Sequence, residues 1–342
     1  MTQTDLSDFT LEREFIGYGY HTPDPKWPNQ AKIAINFIIQ YNVGSELSID
    51  EGDDTFELYL AELQMMGAGE KVRMDMAESQ YEYGPRVGVP RLIEMFKRHD
   101  LPVTWNMYTL ALEKSPYWCK AIVDSGAEIT LGGKRWIDYM NVEPEEEDKM
   151  IRESIDQLHT LTGDKTLPSG WFTDRRSNAS IKLYAQAMAD KGLPLLYSSD
   201  SCSDDLPFWT SSPVKGQENG LLMMPFSYDV SDLKFNLKGK GPSSPKDYFE
   251  HLMDTFECLY EEGIEGEPKM MTVILHPHII GRAARMWYLE RFLEHIKTVP
   301  GVWVARRDDI AKHFASVHPY DAKKAFGQTP VIPDVKFVPN AK

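Results

Sequence analysis

The chain has 342 residues, of which 42% are hydrophobic and 26% charged, proportions of a globular protein that exclude a fibrous or disordered class. With 52 Asp and Glu against 37 Lys and Arg its formal charge is −15, a surface that repels phosphate backbones, and no basic block interleaved with aromatics speaks for nucleic acid. The expected setting is a reduced cytoplasm with a small-molecule substrate and no membrane: no apolar run reaches the roughly 18 residues of a span, the start MTQTDLSDFTLERE does not read as a secretory signal, and Cys119, Cys202 and Cys258 are too few and scattered for a disulfide framework.

Residues 1–29 contain HTPDPKWPNQ, whose three prolines favour extended and turn backbone. They read as an arm lying on a domain that spans 30–318. The first strand is predicted over 32–40 (KIAINFIIQ), followed by a helical pattern around Phe56 to Met66. Further apolar runs begin at Pro102, Ala127, Leu167, Pro194, Leu221, Met270 and Val302. Between them, VPRLIEMFKRH, EEEDKMIRESIDQLHTL, ASIKLYAQAMADKG, KDYFEHLMDTFECLYEEG and ARMWYLERFLEHIKTV carry apolar residues at helical spacing. Repeated strand and helix predict an α/β fold with a parallel sheet and helices outside, as a closed barrel or an open sheet. Neither a GxGxxG after the first strand nor a GxxxxGK[ST] occurs, which lowers the weight of the common nucleotide folds. Residues 319–342 are irregular, and with the arm they offer terminal extensions through which a homo-oligomer can form.

A short polar cluster follows nearly every predicted strand, where barrels and open sheets keep their sites. Asn42 follows the first strand; Arg135, Trp136 and Asp138 follow AEITL; Trp171 and Arg175 stand in GWFTDRRS; Asp200, Asp204, Asp205 and Trp209 stand in DSCSDDLPFW; His276 and His278 stand in LHPHIIG. A histidine at a strand end exchanges protons near neutral pH, so His276 is the candidate acid and base. It also suits a simple strand cap. Crowded carboxylates separate in pKa, so Asp200, with Asp204 second, is a candidate to activate or place water; a solvated acidic loop is the alternative. Arg175 suits an oxyanion or a carboxylate through its planar fork, whereas Arg176 reads better as a surface residue. Glu78, with Tyr83 and Arg86 in ESQYEYGPRVG, reads as a polar, aromatic loop before a helix, either a pocket wall or a helix entry. The expected substrate-binding set is Asn42, Glu78, Arg135, Trp136, Asp138, Trp171, Asp205, Trp209 and His278. Trp136, Trp171, Phe172, Phe208 and Trp209 are expected to roof a closed pocket.

Read together, FIGYG, ESQYEYGPRVGVPRL, EITLGGKRWIDY, GWFTDRRS, DSCSDDLPFW and LHPHIIGRAARMWYLERFL resemble the polysaccharide deacetylase superfamily. They are most similar to its branch of cofactor-independent bacterial allantoinases, and run from about Phe15 to His318. The resemblance implies a distorted (β/α) barrel and hydrolysis of a carbon–nitrogen bond in an amide, imide or ureide. In the wider superfamily an acidic pair after the first strand and histidines further on hold zinc. Here Asn42 and Val43 stand at the acidic pair, Gly132 at the first histidine and Trp136 at the second. Zinc needs three or four ligands drawn from His, Cys and carboxylate. The metal set is therefore incomplete, and the expected enzyme uses no cofactor, although the resemblance to the family leaves zinc open. Asp174 and Arg176 also depart from the branch. A chitooligosaccharide deacetylase is the alternative, and a deacetylase fold that has lost chemistry and binds a ligand is the second.

Overall fold

In the computed structural model, which describes residues 11, 13–62, 71–163, 168–236, 241, 244–323 and 325, the first predicted strand is β1 (Ile33–Tyr41), buried at all nine positions. The other strands are β2 (Thr104–Tyr108), β3 (Glu128–Gly133), β4 (Gly170–Trp171), β5 (Tyr197–Ser198), β6 (Phe208–Thr210), β7 (Leu221–Met223), β8 (Lys269–Leu275) and β9 (Val302–Val304). They form one sheet in the order β6-β7-β5-β4-β3-β2-β1-β8, with β9 beside the start of β1. All neighbours are parallel except β6 and β7. The sheet curls into the incomplete barrel of the deacetylase fold.

The helices are α1 (Asp75–Tyr83), α2 (Val89–His99), α3 (Thr109–Lys114), α4 (Pro116–Asp124), α5 (Pro144–Thr162), α6 (Ser180–Asp190), α7 (Pro245–Glu265), α8 (Pro277–Ile280), α9 (Ala283–Thr298) and α10 (Arg307–Val317). The five helical patterns named above are α2, α5, α6, α7 and α9. The longest, α7, starts at a capping box in which Ser244 and Asp247 satisfy each other's backbone N–H, and it stops where Gly266 turns to φ 110°. Among the described residues no helix is long and apolar enough to cross a membrane.

A parallel sheet covered on both faces buries its strands throughout, and β1 is accordingly buried along its whole length, with polar Asn36 and Gln40 on one face only. Its residues Ile33, Ile35, Phe37, Ile39 and Tyr41 join the large core beneath the helices, where Phe37 meets the Phe96 ring edge-on at 5.2 Å. Asn36, Ile38 and Gln40 are the alternate residues and lie inside the barrel. At the bottom the buried Arg307 guanidinium donates to Asn36, Thr272, Ser199 and the carbonyls of Met224 and Pro225. Above it Ile38, Phe172, Phe226 and Ile274 form an apolar layer. Gln40 accepts from Asn106 above that layer at 2.6 Å. The open end of the barrel lies beyond, at the strands' C-termini.

Two expectations are corrected. The helix expected around Phe56 to Met66 is absent from its described part, 56–62; residues 63–66 lie outside the described residues. Side chains take up its amides instead: Glu57 Oε1 accepts from the N–H of Leu58 and Tyr59, and Tyr81 Oη accepts from that of Leu60. The segment carrying Glu78 is not a loop but α1, which continues through a π turn at Gly84–Gly88 into α2. There a side chain at Gly88 would collide with the Pro277 carbonyl at 2.0 Å. The first ten residues of the arm and most of 319–342 lie outside the described residues.

Candidate active site

A cavity of about 550 Å³ opens at the C-terminal end of the strands, lined by Tyr59, Leu60, Asp138, Asp174, Arg175, Arg176, Asn178, Tyr228, Leu233 and His276. Its volume lies within the range of small-molecule sites.

His276 follows β8 and caps the short α8. Its Nδ1 is 2.6 Å from Oδ1 of Asp232, whose Oδ2 accepts the His276 backbone N–H at 2.7 Å. Both side chains are almost wholly shielded, at 2% and 0% exposure. A carboxylate that already accepts one N–H takes a second from Nδ1, so the Nδ1–H tautomer is favoured and Nε2 keeps its lone pair. His276 lines the cavity, and Nε2 is the nitrogen left to serve it. Asp232 escaped the sequence reading. Its signal was the polar stretch SYDVSD after LLMMPF, a strand whose following cluster was passed over.

Arg175 donates from Nη1 to Glu57 Oε2 at 2.6 Å, and its guanidinium lies 4.9 Å from the Trp136 ring centre and 5.4 Å from that of Tyr59. One carboxylate and two aromatic faces thus hold it, with donors left over. Glu57 and Tyr59 were also missed, because the stretch around them was read as helix. Arg176, read from sequence as a surface residue, lines the cavity; its Nη1 donates to the Ser177 carbonyl at 3.1 Å.

Asp200 is buried and does not line the cavity. Its Oδ1 accepts the successive backbone N–H groups of Thr173 (2.9 Å) and Asp174 (3.2 Å). Burial pushes its pKa up to about 6, against the opposing pull of Arg176 and these amides. In this geometry it anchors the segment that carries Arg175. Trp136 is buried under Arg175 and donates Nε1–H to Asp174 Oδ2 at 3.0 Å. Asp138 reaches the cavity and caps the backbone of Met140.

Other candidates lie elsewhere. The Asp205 carbonyl accepts from Met270 N–H, at the start of β8. Met270 and His276 are six residue steps apart along β8 and its end, about 20 Å. Asp204, which caps Leu206 N–H, feels Lys269 and belongs to that same end. Trp209 donates Nε1–H to the His318 carbonyl at 2.7 Å and meets Tyr320 at 5.7 Å. Trp171 stacks on Tyr184 at 4.8 Å in the core. Phe172 lies in the apolar barrel layer and Phe208 in the main core, so the aromatics at the cavity are Tyr59 and Tyr228. Arg135 is held by Asp53 and by the Glu46 carbonyl. Glu78 pairs with Arg73 on the surface of α1. His278, by contrast, lies beside the dyad, its ring 6.1 Å from that of His276, but it does not line the cavity; it is buried against Tyr81, ring centres 4.7 Å apart, and burial holds its pKa well below the usual histidine value.

The positions that hold zinc in the wider superfamily do not fit a metal. Asn42 is fully buried and neither amide atom has a hydrogen-bond partner, and Val43 packs in the core. A side chain at Gly132 would come within 2.5 Å of the Tyr108 ring, which fills the space a histidine would need and donates its hydroxyl to the Thr173 carbonyl. Among the described residues the one group with metal-like spacing, His99, Glu290 and Glu294, sits on the outer helices, where Arg98 already pairs with Glu290.

Residues 70–187 match the family model "Polysaccharide deacetylase". A Schizosaccharomyces pombe protein assigned to the polysaccharide deacetylases is 37% identical over 302 residues, covering 86% of this chain and 94% of its own. The crystal structure of PuuE allantoinase superposes with a TM-score of 0.84 at 38% identity, over 90% of this chain and 99% of that one. A Pseudomonas aeruginosa structure of the deacetylase class gives 0.83 at 38% identity and the same coverage. A shared fold, ordered motifs and more than a third of identical residues along most of both chains place this chain in the polysaccharide deacetylase family, with an allantoinase among its structural relatives.

Proposed function

We propose that the protein hydrolyses a carbon–nitrogen bond in a small amide, cyclic imide or ureide without a metal ion. The observation that carries this reading is the His276–Asp232 pair, whose remaining nitrogen serves a cavity edged by two guanidinium groups. In the reaction His276 Nε2 takes a proton from water as the water oxygen bonds to the carbonyl carbon. Asp232 stabilises the imidazolium that forms and fixes its tautomer. The resulting oxyanion is met by donors of Arg175 and Arg176. As the C–N bond breaks, His276 returns the proton to the leaving nitrogen, so an open-chain substrate gives an acid and an amine or amide, and a ring opens to one molecule that carries both groups.

Cavity size favours a small substrate over a polymer, and the similarity to an allantoinase points the same way. The test is a panel of cyclic imides, hydantoins, ureides, small acyl amides and chitooligosaccharides, with product release followed by mass spectrometry and His276→Gln as the blank. Hydrolysis is expected within the small-molecule set alone. Acetate release from chitooligosaccharides would replace the reading with the deacetylase alternative, and silence across the panel would favour a ligand-binding protein.

A further inference from the structure

Between Thr173 and Arg175, which point to core and cavity, Asp174 adopts φ 66°, the left-handed region that glycine occupies without strain. A strained conformation persists only where its surroundings over-determine it, and here they do. The buried Asp200 carboxylate binds the Asp174 N–H at 3.2 Å. The Asp174 carboxylate accepts Trp136 Nε1–H at 3.0 Å through Oδ2 and the Tyr228 hydroxyl at 3.3 Å through Oδ1. Trp136 is 1% exposed and cannot follow a displaced partner. The side chain is thereby fixed at the cavity wall.

An ionised carboxylate accepts about four hydrogen bonds, and two are claimed. Neither guanidinium beside it takes up the rest: the hydrogen bonds of Arg175 and Arg176 go to Glu57 and to the Ser177 carbonyl, and both keep further donors. What is left is a rigid, unsaturated acceptor on the same wall as the guanidinium donors. This arrangement complements a group that presents N–H beside C=O on one edge, as the cis-amide of a ring does; an open-chain trans amide presents them on opposite edges.

We propose that Asp174 is the specificity-determining residue of this site, accepting the ring N–H of an unsubstituted cyclic imide or ureide and rejecting the N-alkylated ring. The inference rests on the hydrolytic reading above for the reaction but not for the recognition. N-alkylation removes the donor, leaves the carboxylate facing an apolar group and adds bulk where the hydrogen bond was.

The experiment compares succinimide with N-methylsuccinimide, using the full chain and Asp174→Gly. Rates are measured on active protein and equilibrium binding by calorimetry on the His276→Gln background. Wild type is expected to favour succinimide by on the order of 10²-fold in kcat/KM, and Asp174→Gly to lose most of that ratio. Glycine takes φ 66° freely but leaves the buried Trp136 Nε1–H without its acceptor, so the variant is expected to stay folded and to melt somewhat below wild type. Failure of the variant to fold at the assay temperature would mean that the bonds to Trp136 and Tyr228 are the purpose of the residue, against the proposal. The same ratio in both proteins, with hydrolysis intact, overturns the inference and leaves the reaction standing. Binding that discriminates without any hydrolysis, and loses discrimination in Asp174→Gly, supports the inference and removes the reaction. Binding of neither ring overturns both.

Discussion

Replacing Asp232 by Asn tests the dyad with the least change of shape. The carboxylate accepts two N–H groups from one residue, the backbone at 2.7 Å and Nδ1 at 2.6 Å. An asparagine offers one oxygen, which the buried backbone N–H requires, since an orphaned donor costs about 1–3 kcal/mol. The amide NH₂ then faces Nδ1 and demands its lone pair. The proton moves to Nε2, and the nitrogen that serves the cavity becomes a donor that cannot accept from water. A wrong tautomer in a histidine–carboxylate pair lowers kcat by roughly 10⁴-fold, about 5.5 kcal/mol of barrier. Folding stability should fall by a smaller amount, about 1–3 kcal/mol, for one lost charge-assisted bond. The assay is steady-state ring opening of whichever imide or ureide the panel identifies, with thermal melts as control. Activity within threefold of wild type in a folded Asp232→Asn protein would refute proton transfer through His276.

Asp200 has its folded pKa raised to about 6, chiefly by burial, so its contribution to stability is present below the unfolded value near 3.9 and is lost as pH rises through 6. Against Asp200→Asn, denaturant unfolding should show wild type gaining on the order of 2–3 kcal/mol between pH 7 and pH 4; a pH-independent difference would contradict the burial. Gly132→Ala places a methyl within 2.5 Å of the Tyr108 ring, and urea titration should report a loss of about 1–3 kcal/mol. Wild-type stability in that variant would mean that Tyr108 yields its place easily. Dialysis against chelator should leave kcat unchanged, and elemental analysis of untreated protein should find far less than one zinc per chain; a stoichiometric metal whose removal abolishes turnover would sink the metal-free mechanism.

Much of the fold could be read from local pattern alone. The largely apolar run of β1 and the 3.6-residue periodicity of α2, α5, α6, α7 and α9 each record a face that must be buried. The short strand β6 and the irregular stretch at 56–62 are legible only from their partners, because there the hydrogen bonds come from other segments: Leu60 bonds Tyr81, and β6 pairs with β7. The candidate site divides in the same way. His276, Arg175 and Asp138 stand just beyond strands, and the repeating α/β pattern predicts that such positions converge. Their partners do not share that register. Asp232 lies 44 residues before His276 and Glu57 lies 118 before Arg175. Asp204 and Asp205 look equivalent to Asp200 in sequence yet fall at the other end of β8. Sequence by itself therefore determined which strand ends carry reactive groups. Tertiary structure alone decided which carboxylate meets which base, since a side chain's partner depends on where the loops between strands close, and loop closure leaves no periodic trace.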